Sequence, residues 1–210
     1  GVTKTSALSA DLPTFDVGGR YIAPGLIDIH THGAVGHSFN EPTAEAWRAI
    51  TCENAACGVT SLLATTATAP IANLVECLKF GHDWITTTHE GTQVLGVHVE
   101  GPYFSYDQRG AQDPAYLRAP DDNSVDELLE HHDVIRTMSF APELPGALDL
   151  TARLVKLGIV AAAGHSSATD QQVQAAMQVG LRHTIHIWSG QSTTVREGPW
   201  RKPGLLEATL

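Results

Sequence analysis

Pro24-Gly25-Leu26-Ile27-Asp28-Ile29-His30-Thr31-His32-Gly33 is an apolar run that ends in two histidines one residue apart and then a glycine. A strand sends successive side chains to opposite faces, so His30 and His32 leave the same face with their imidazoles pointing one way. Such a pair grips a metal ion with two neutral imidazoles, the commonest protein ligands for zinc and related ions. A site needs three or four converging groups, and in a chain with 11 His one alternating pair decides nothing by itself. The rest of the sequence has to supply the partners.

Working outward, a β then α alternation repeats. Ile22 to His30 reads as a strand, and Thr43 to Cys57 as a helix with Trp47 and Ile50 on its apolar side, closed by Gly58. Val59 to Thr65 is a second strand, and Pro70 opens a helix to about Thr86. Gln93 to Glu100 is a third strand, followed by a connection from Gly101 to Pro120 long enough to be a binding loop. The pattern predicts a helix over Ser124 to His132, a strand over Ile135 to Phe140, a helix over Ala147 to Leu157 and a strand over Ile159 to Gly164. A last helix spans Thr169 to Val179, and a sixth strand spans Arg182 to Trp188. Strict alternation implies a parallel sheet with right-handed crossovers, either doubly wound or a (β/α)₈ barrel. No glycine-rich phosphate fingerprint follows the first strand, which argues against the dinucleotide-binding version.

Composition narrows the partners. The chain has 210 residues, 42% of them hydrophobic, enough for a packed core. No stretch reads as a membrane span or signal peptide, so the default setting is cytoplasmic. Cys52, Cys57 and Cys77 show no paired spacing and read as small buried side chains in a reducing compartment. A net charge of −10 argues against nucleic acid and anionic membranes as partners. Residues 1–20 are polar, with one β-like piece at Thr14 to Val17, and read as the tail of something that begins earlier.

The spacing of the remaining acids and histidines decides the chemistry. Glu100 lies 68 positions after His32 and His165 lies 65 after Glu100, each about two βα units, and His186 follows 21 later. His30, His32, Glu100, His165 and His186 therefore all fall at the C-terminal ends of predicted strands, the face on which barrel active sites are built. Glu100 ends an apolar strand, where an unpaired carboxylate is costly and a cation is its natural partner. His98 shares a face with Glu100 one pair deeper, which suits a hydrogen-bonding role beneath a ligand. Alternation puts His183 on the face opposite His186, where it reads as packing. His82, His89, His131 and His132 read as surface residues, and His37, in the loop after the His pair, stays open.

Five segments carry a resemblance: Ala23 to Gly33, Gly96-Val97-His98-Val99-Glu100-Gly101-Pro102, Ser139-Phe140-Ala141-Pro142-Glu143, Ala163-Gly164-His165-Ser166 and Arg201-Lys202-Pro203-Gly204-Leu205. Together they resemble the N-acetylglucosamine-6-phosphate deacetylases of the amidohydrolase superfamily, from about Gly19 to the last residue. The resemblance implies a TIM-type (β/α)₈ barrel, here with about six βα units over residues 21–210 and a remnant of a small β domain over residues 1–20. It implies one or two divalent ions, zinc foremost with iron, manganese, cobalt or nickel as alternatives, held by Glu100, His165 and His186 and by His30 and His32. It further implies a small-molecule amino-sugar substrate, deacetylation to an amine and acetate, and a homodimer. The family's proton-shuttling aspartate, at the end of the eighth strand, would lie beyond Leu210, so the expectation is a piece of a longer protein.

The substrate side departs from the family pattern. Where the family has Gly-Ala-His after the Glu-Gly-Pro turn, this chain has Gly110-Ala111-Gln112. Where it has an Asn-Ala pair starting three residues after the last histidine ligand, this chain has Ser189-Gly190. Arg201 matches the family's phosphate-binding arginine, and a guanidinium suits a phosphate bidentately. The expected substrate-binding residues are therefore Ala111, Gln112, Ser189, Gly190 and Arg201. Two other readings stay open: an amidohydrolase acting on a different acyl-amino sugar, cyclic amide or acyl-amino acid, and an inactive barrel that retains a metal shell.

Overall fold

The computed structural model describes residues 13–87 and 90–210. Six strands, β1 (Leu26–Thr31), β2 (Val59–Thr66), β3 (Gln93–Glu100), β4 (Ile135–Phe140), β5 (Val160–Ala163) and β6 (His183–Thr184), form one sheet in chain order. All five neighbouring pairs are parallel. A doubly wound sheet reverses its strand order at a switch point. No reversal occurs here, so the sheet winds in one direction, as a curled wall of an incomplete TIM-like barrel with β1 and β6 at its edges.

Helices α1 (Ala44–Ala56), α2 (Ile71–Ile85), α3 (Ser124–Leu129), α4 (Ala147–Lys156) and α5 (Asp170–Val179) fill the crossovers, and α6 (Leu205–Ala208) follows β6. Their ends follow from local chemistry. Thr43 caps α1 by accepting the Ala46 N–H, and Gly58, at φ +87°, takes the left-handed position after its end. A Thr169–Gln172 capping box starts α5. Inside, α1 buries Trp47, whose ring meets Phe39 and Phe80 edge-on at 5.0 and 5.2 Å. Along β3, Val97 and Val99 join the hydrophobic core while the intervening His98 and Glu100 are also buried. The strand is thus covered on both sides, and its polar residues need polar partners within the fold.

Several boundaries differ from expectation. The first strand begins at Leu26, not Ile22, because the ladder starts with Leu26 N–H to Gly58 C=O at 3.0 Å, just after Pro24, which has no N–H to donate. Thr14 to Val17 form no strand; Asp16 instead accepts the Gly18 N–H in a local turn. Residues 1–12 of the expected N-terminal remnant lie outside the described residues. α3 ends at Leu129, short of His132, whose Nδ1 hydrogen-bonds the Leu129 carbonyl at the helix end. Of the three cysteines only Cys77 is buried; Cys52 and Cys57 are exposed on and after the outer side of α1. Among the described residues no helix is long and apolar enough to cross a membrane.

Candidate metal centre

The strand ends bring five side chains to one point. Glu100, the last residue of β3 and 1% exposed, is surrounded by four imidazoles. Its Oε2 meets His30 Nε2 at 3.0 Å and His32 Nε2 at 2.6 Å. Its Oε1 meets His165 Nε2 at 3.0 Å and His186 Nε2 at 3.1 Å. Two triads result, His30/His32/Glu100 and Glu100/His165/His186, each with its donor atoms within 4.8 Å of one another and each able to hold a metal ion. The carboxylate belongs to both, one oxygen to each.

Hydrogen bonds on the far sides of the rings fix what the near sides offer. His165 Nδ1 donates to the Gln108 carbonyl at 2.9 Å, and His186 Nδ1 donates to the Ser189 carbonyl at 3.0 Å. A carbonyl only accepts, so each neutral ring keeps its proton on Nδ1 and presents an Nε2 lone pair inward. Those lone pairs face each other and Glu100 Oε1, so acceptors converge without a donor. A divalent cation satisfies such a set, and imidazole with carboxylate suits zinc and its first-row neighbours. Burial alone would push the Glu100 carboxyl up. Where no cation is bound, any proton carried by these Nε2 atoms is donated to Glu100, and such bonds, from His165 first and then His186, His30 and His32, outweigh burial and hold the carboxyl far below the ordinary carboxylate range. His186 is raised by its bond to Glu100. The strong perturbation is focused on one carboxylate at a strand-end cluster, as in functional sites.

His98 lies directly below. Its Nε2 is 2.5 Å from Ser139 Oγ, its Nδ1 is 3.4 Å from Thr65 Oγ1, and its ring packs edge-on against His30 with centroids 4.8 Å apart. Burial, and then the charge of His30, push its pKa down to about 3, so it stays neutral. Only His183–Thr184 is strand, because the chain turns at His186 (φ +24°) and Trp188 (φ +79°), closed by Ser189 N–H to the His186 carbonyl. The period-two count therefore stops before His186. His183 sits near enough to His30 and His98 that burial and then repulsion from His30 lower its own pKa.

The expected substrate-side residues divide. Gln112 is buried, with Oε1 accepting the Thr68 N–H at 2.8 Å, and Ala111 precedes it on the exposed part of the same loop. Ser189 serves through its carbonyl on His186. Gly190, at φ +61°, passes so close to His165 that a Cβ there would lie 2.9 Å from Nδ1, so only glycine fits. Arg201 stands on an exposed hairpin, Val195–Glu197 with Trp200–Lys202, directly opposite Arg196. Of the other histidines, His37 pairs with Glu41 and His82 with Asp133, both away from the cluster, and His89 lies outside the described residues. Sequence reading missed the Gln108 carbonyl, Thr65 and Ser139. A main-chain acceptor leaves no mark in sequence, whereas Ser139, paired with Glu100 in the sheet, is the next-to-last residue of its strand.

The model of the amidohydrolase family matches residues 21–196. An N-acetylglucosamine-6-phosphate deacetylase of Haemophilus influenzae is 34% identical over 210 residues, all of this chain and 54% of that protein. An N-acetylgalactosamine-6-phosphate deacetylase of Escherichia coli O157:H7 is 32% identical over 190 residues, 90% of this chain and 49% of that one. The solved structure of a variant N-acetyl-D-glucosamine-6-phosphate deacetylase from Mycobacterium smegmatis, in complex with N-acetyl-D-glucosamine-6-phosphate, superposes with a TM-score of 0.80 at 31% identity, covering 88% of this chain and 47% of that one. The chain thus spans about half the length of the relatives it matches.

Proposed function

Since the chain belongs to the amidohydrolase family, we propose that it carries the metal-binding half of a deacetylase acting on an N-acetyl amino sugar, with N-acetylglucosamine 6-phosphate as first substrate. The observation that carries this reading is a single buried carboxylate meeting one pair of imidazoles on each oxygen. His30, His32 and Glu100 would hold one divalent ion and Glu100, His165 and His186 another, zinc being the first to test.

When bound, such an ion supplies Lewis acidity, lowering the pKa of a water toward neutrality and stabilising negative charge that develops on the attacked carbonyl oxygen. The chain's own groups set the rest. The Gln108 and Ser189 carbonyls keep the His165 and His186 lone pairs inward. His98, neutral and wedged between Ser139 and His30, keeps a positive charge out of the floor of the site. Both Glu100 oxygens are taken up by the four imidazoles, so the proton for the leaving amine has to come from a different acid. Gln112, fixed through Oε1, has N–H donors left for a sugar hydroxyl, and Arg201 with Arg196 beside it suits the phosphate.

Metal analysis of the complete protein together with deacetylation of N-acetylglucosamine 6-phosphate tests the reading. Bound metal with turnover supports it, while bound metal with no turnover of any acyl amino sugar refutes it and leaves a metal-holding barrel without this activity. Gln112 in place of the family's histidine favours a second sugar reading, and parallel assays on N-acetylgalactosamine 6-phosphate and on the unphosphorylated sugars separate these substrates.

A further inference from the structure

His165 leaves β5 with φ +45°, a left-handed conformation that a residue with a side chain adopts only when its surroundings hold it there. Most of what holds it is neutral. Ser105 N–H donates to the His165 carbonyl at 2.9 Å, Ser166 N–H donates to the Gly190 carbonyl at 3.1 Å, and the Ser105 and Ser167 hydroxyls lie 2.7 Å apart.

Among the described residues, the one charged side chain hydrogen-bonded to Ser166 or Ser167 is Glu143, which reaches them from the segment after β4. Its Oε2 accepts the Ser166 hydroxyl at 2.7 Å and its Oε1 accepts the Ser167 N–H at 2.5 Å. Ser166 is fully buried, and its own Oγ accepts the Ala168 N–H at 3.0 Å, so its hydroxyl proton is left for Glu143. Both bonds are charge-assisted, roughly twice as strong as neutral ones. They grip the two residues that follow His165.

We infer that Glu143 is a positioning residue for the metal centre: its carboxylate clamps Ser166 and Ser167, and through them fixes the backbone turn that aims His165 Nε2 at Glu100. This rests on the reading of His165 as a metal ligand. Glu143 itself hydrogen-bonds none of the five cluster residues, so its effect passes wholly through the backbone. Removing an outer partner of a metal ligand costs about 10- to 100-fold in metal affinity.

The test is zinc affinity, measured by competition with a chelator on the complete protein for wild type, Glu143→Gln and Glu143→Ala, alongside the melting temperature of each metal-free form. Glu143→Ala should weaken zinc by about 10- to 100-fold, with turnover recovered once zinc is raised to saturation. Glu143→Gln keeps the size and one good acceptor and should fall between. A merely structural role predicts a different result: a lower metal-free melting temperature with zinc affinity within about twofold of wild type after correction for the folded fraction, and that result overturns the inference. Zinc affinity unchanged in Glu143→Gln and Glu143→Ala alike also overturns it, while leaving the metal site intact. Wild type that binds no zinc, or other divalent ion, removes the metal-site reading and this inference together.

Discussion

The Nε2 atoms of His165 and His186 lie 3.1 Å apart, and both rings have already committed their Nδ1 proton to a backbone carbonyl. Two lone pairs at that separation repel unless a proton or a cation lies between them. Glu100 Oε1, 3.0 Å from one and 3.1 Å from the other, completes a triangle of acceptors, while its Oε2 lies 3.0 Å from His30 Nε2 and 2.6 Å from His32 Nε2. Because both triads share this carboxylate, Glu100→Ala should empty both together. Metal content per chain should fall by at least about 100-fold in affinity terms, the upper end of what loss of even an outer partner costs. Elemental analysis of the purified variant checks this, and unchanged metal content would sink the assignment.

Gly190 offers a second handle, because two costs can be separated there. At φ +61° any side chain pays roughly 1–2 kcal/mol of backbone strain. A Cβ would also sit 2.9 Å from His165 Nδ1 and 3.2 Å from the Gln108 carbonyl, breaking into the bond that sets the His165 tautomer. Gly198, at φ +58°, pays the strain alone, since nothing lies within 4 Å of its added Cβ. Both Gly→Ala variants should therefore lose similar stability from strain in urea melts, while only Gly190→Ala loses metal. Equal metal content in the two variants would show that the close approach to His165 does not matter.

The five-residue cluster was legible because each member sits at or just past the end of a strand whose apolar run is visible, and because strand spacing in a βα repeat is regular enough to count. His30 and Glu100 are placed by period-two alternation within their strands, and His32 lies one residue past the end of its own. His165 and His186 lie beyond theirs, at positive φ, where alternation no longer applies. For this reason the seven-residue strand expected over Arg182 to Trp188 shrank to two residues. The contacts that aim the rings, the Gln108 and Ser189 carbonyls, are main-chain atoms, which any residue supplies equally. Winding direction was legible only as a choice between two sheets, since β-α alternation is common to both and strand order is a tertiary fact.

The cysteines give a prediction independent of the metal. Cys52 and Cys57 are exposed, while Cys77 on α2 is packed beneath the sheet, with burial and then the nearby Glu76 pushing its thiol up to about 12. The thiolate is the reactive form, so Cys77 should be inert in the folded protein. Intact-mass analysis after alkylation at pH 8 should show two adducts on the native chain and a third only after denaturation. A third adduct appearing under native conditions at a similar rate would mean that α2 opens readily.

The last prediction concerns the exposed hairpin that carries Arg201. Glu207, in the first turn of α6, accepts the Gly204 N–H through Oε2 at 2.9 Å and the Thr194 N–H through Oε1 at 2.8 Å, tying the start of the hairpin to its end. Those two backbone bonds hold its carboxyl down from 4.5 to about 2. A carboxyl depressed in the folded state binds its proton more weakly there than in the unfolded chain. Its contribution is therefore complete above about pH 4.5 and is lost as pH falls toward 2. Amide exchange at Thr194 and Gly204 should accordingly stay slow through pH 5 and quicken only in that acid window. Glu207→Gln, which keeps the shape but not the charge, should make exchange at these two amides faster at neutral pH and insensitive to this titration. A Glu207 carboxyl titrating in the folded protein with a midpoint near 4.5, followed by carbon NMR, would mean that the tie does not hold the hairpin in solution.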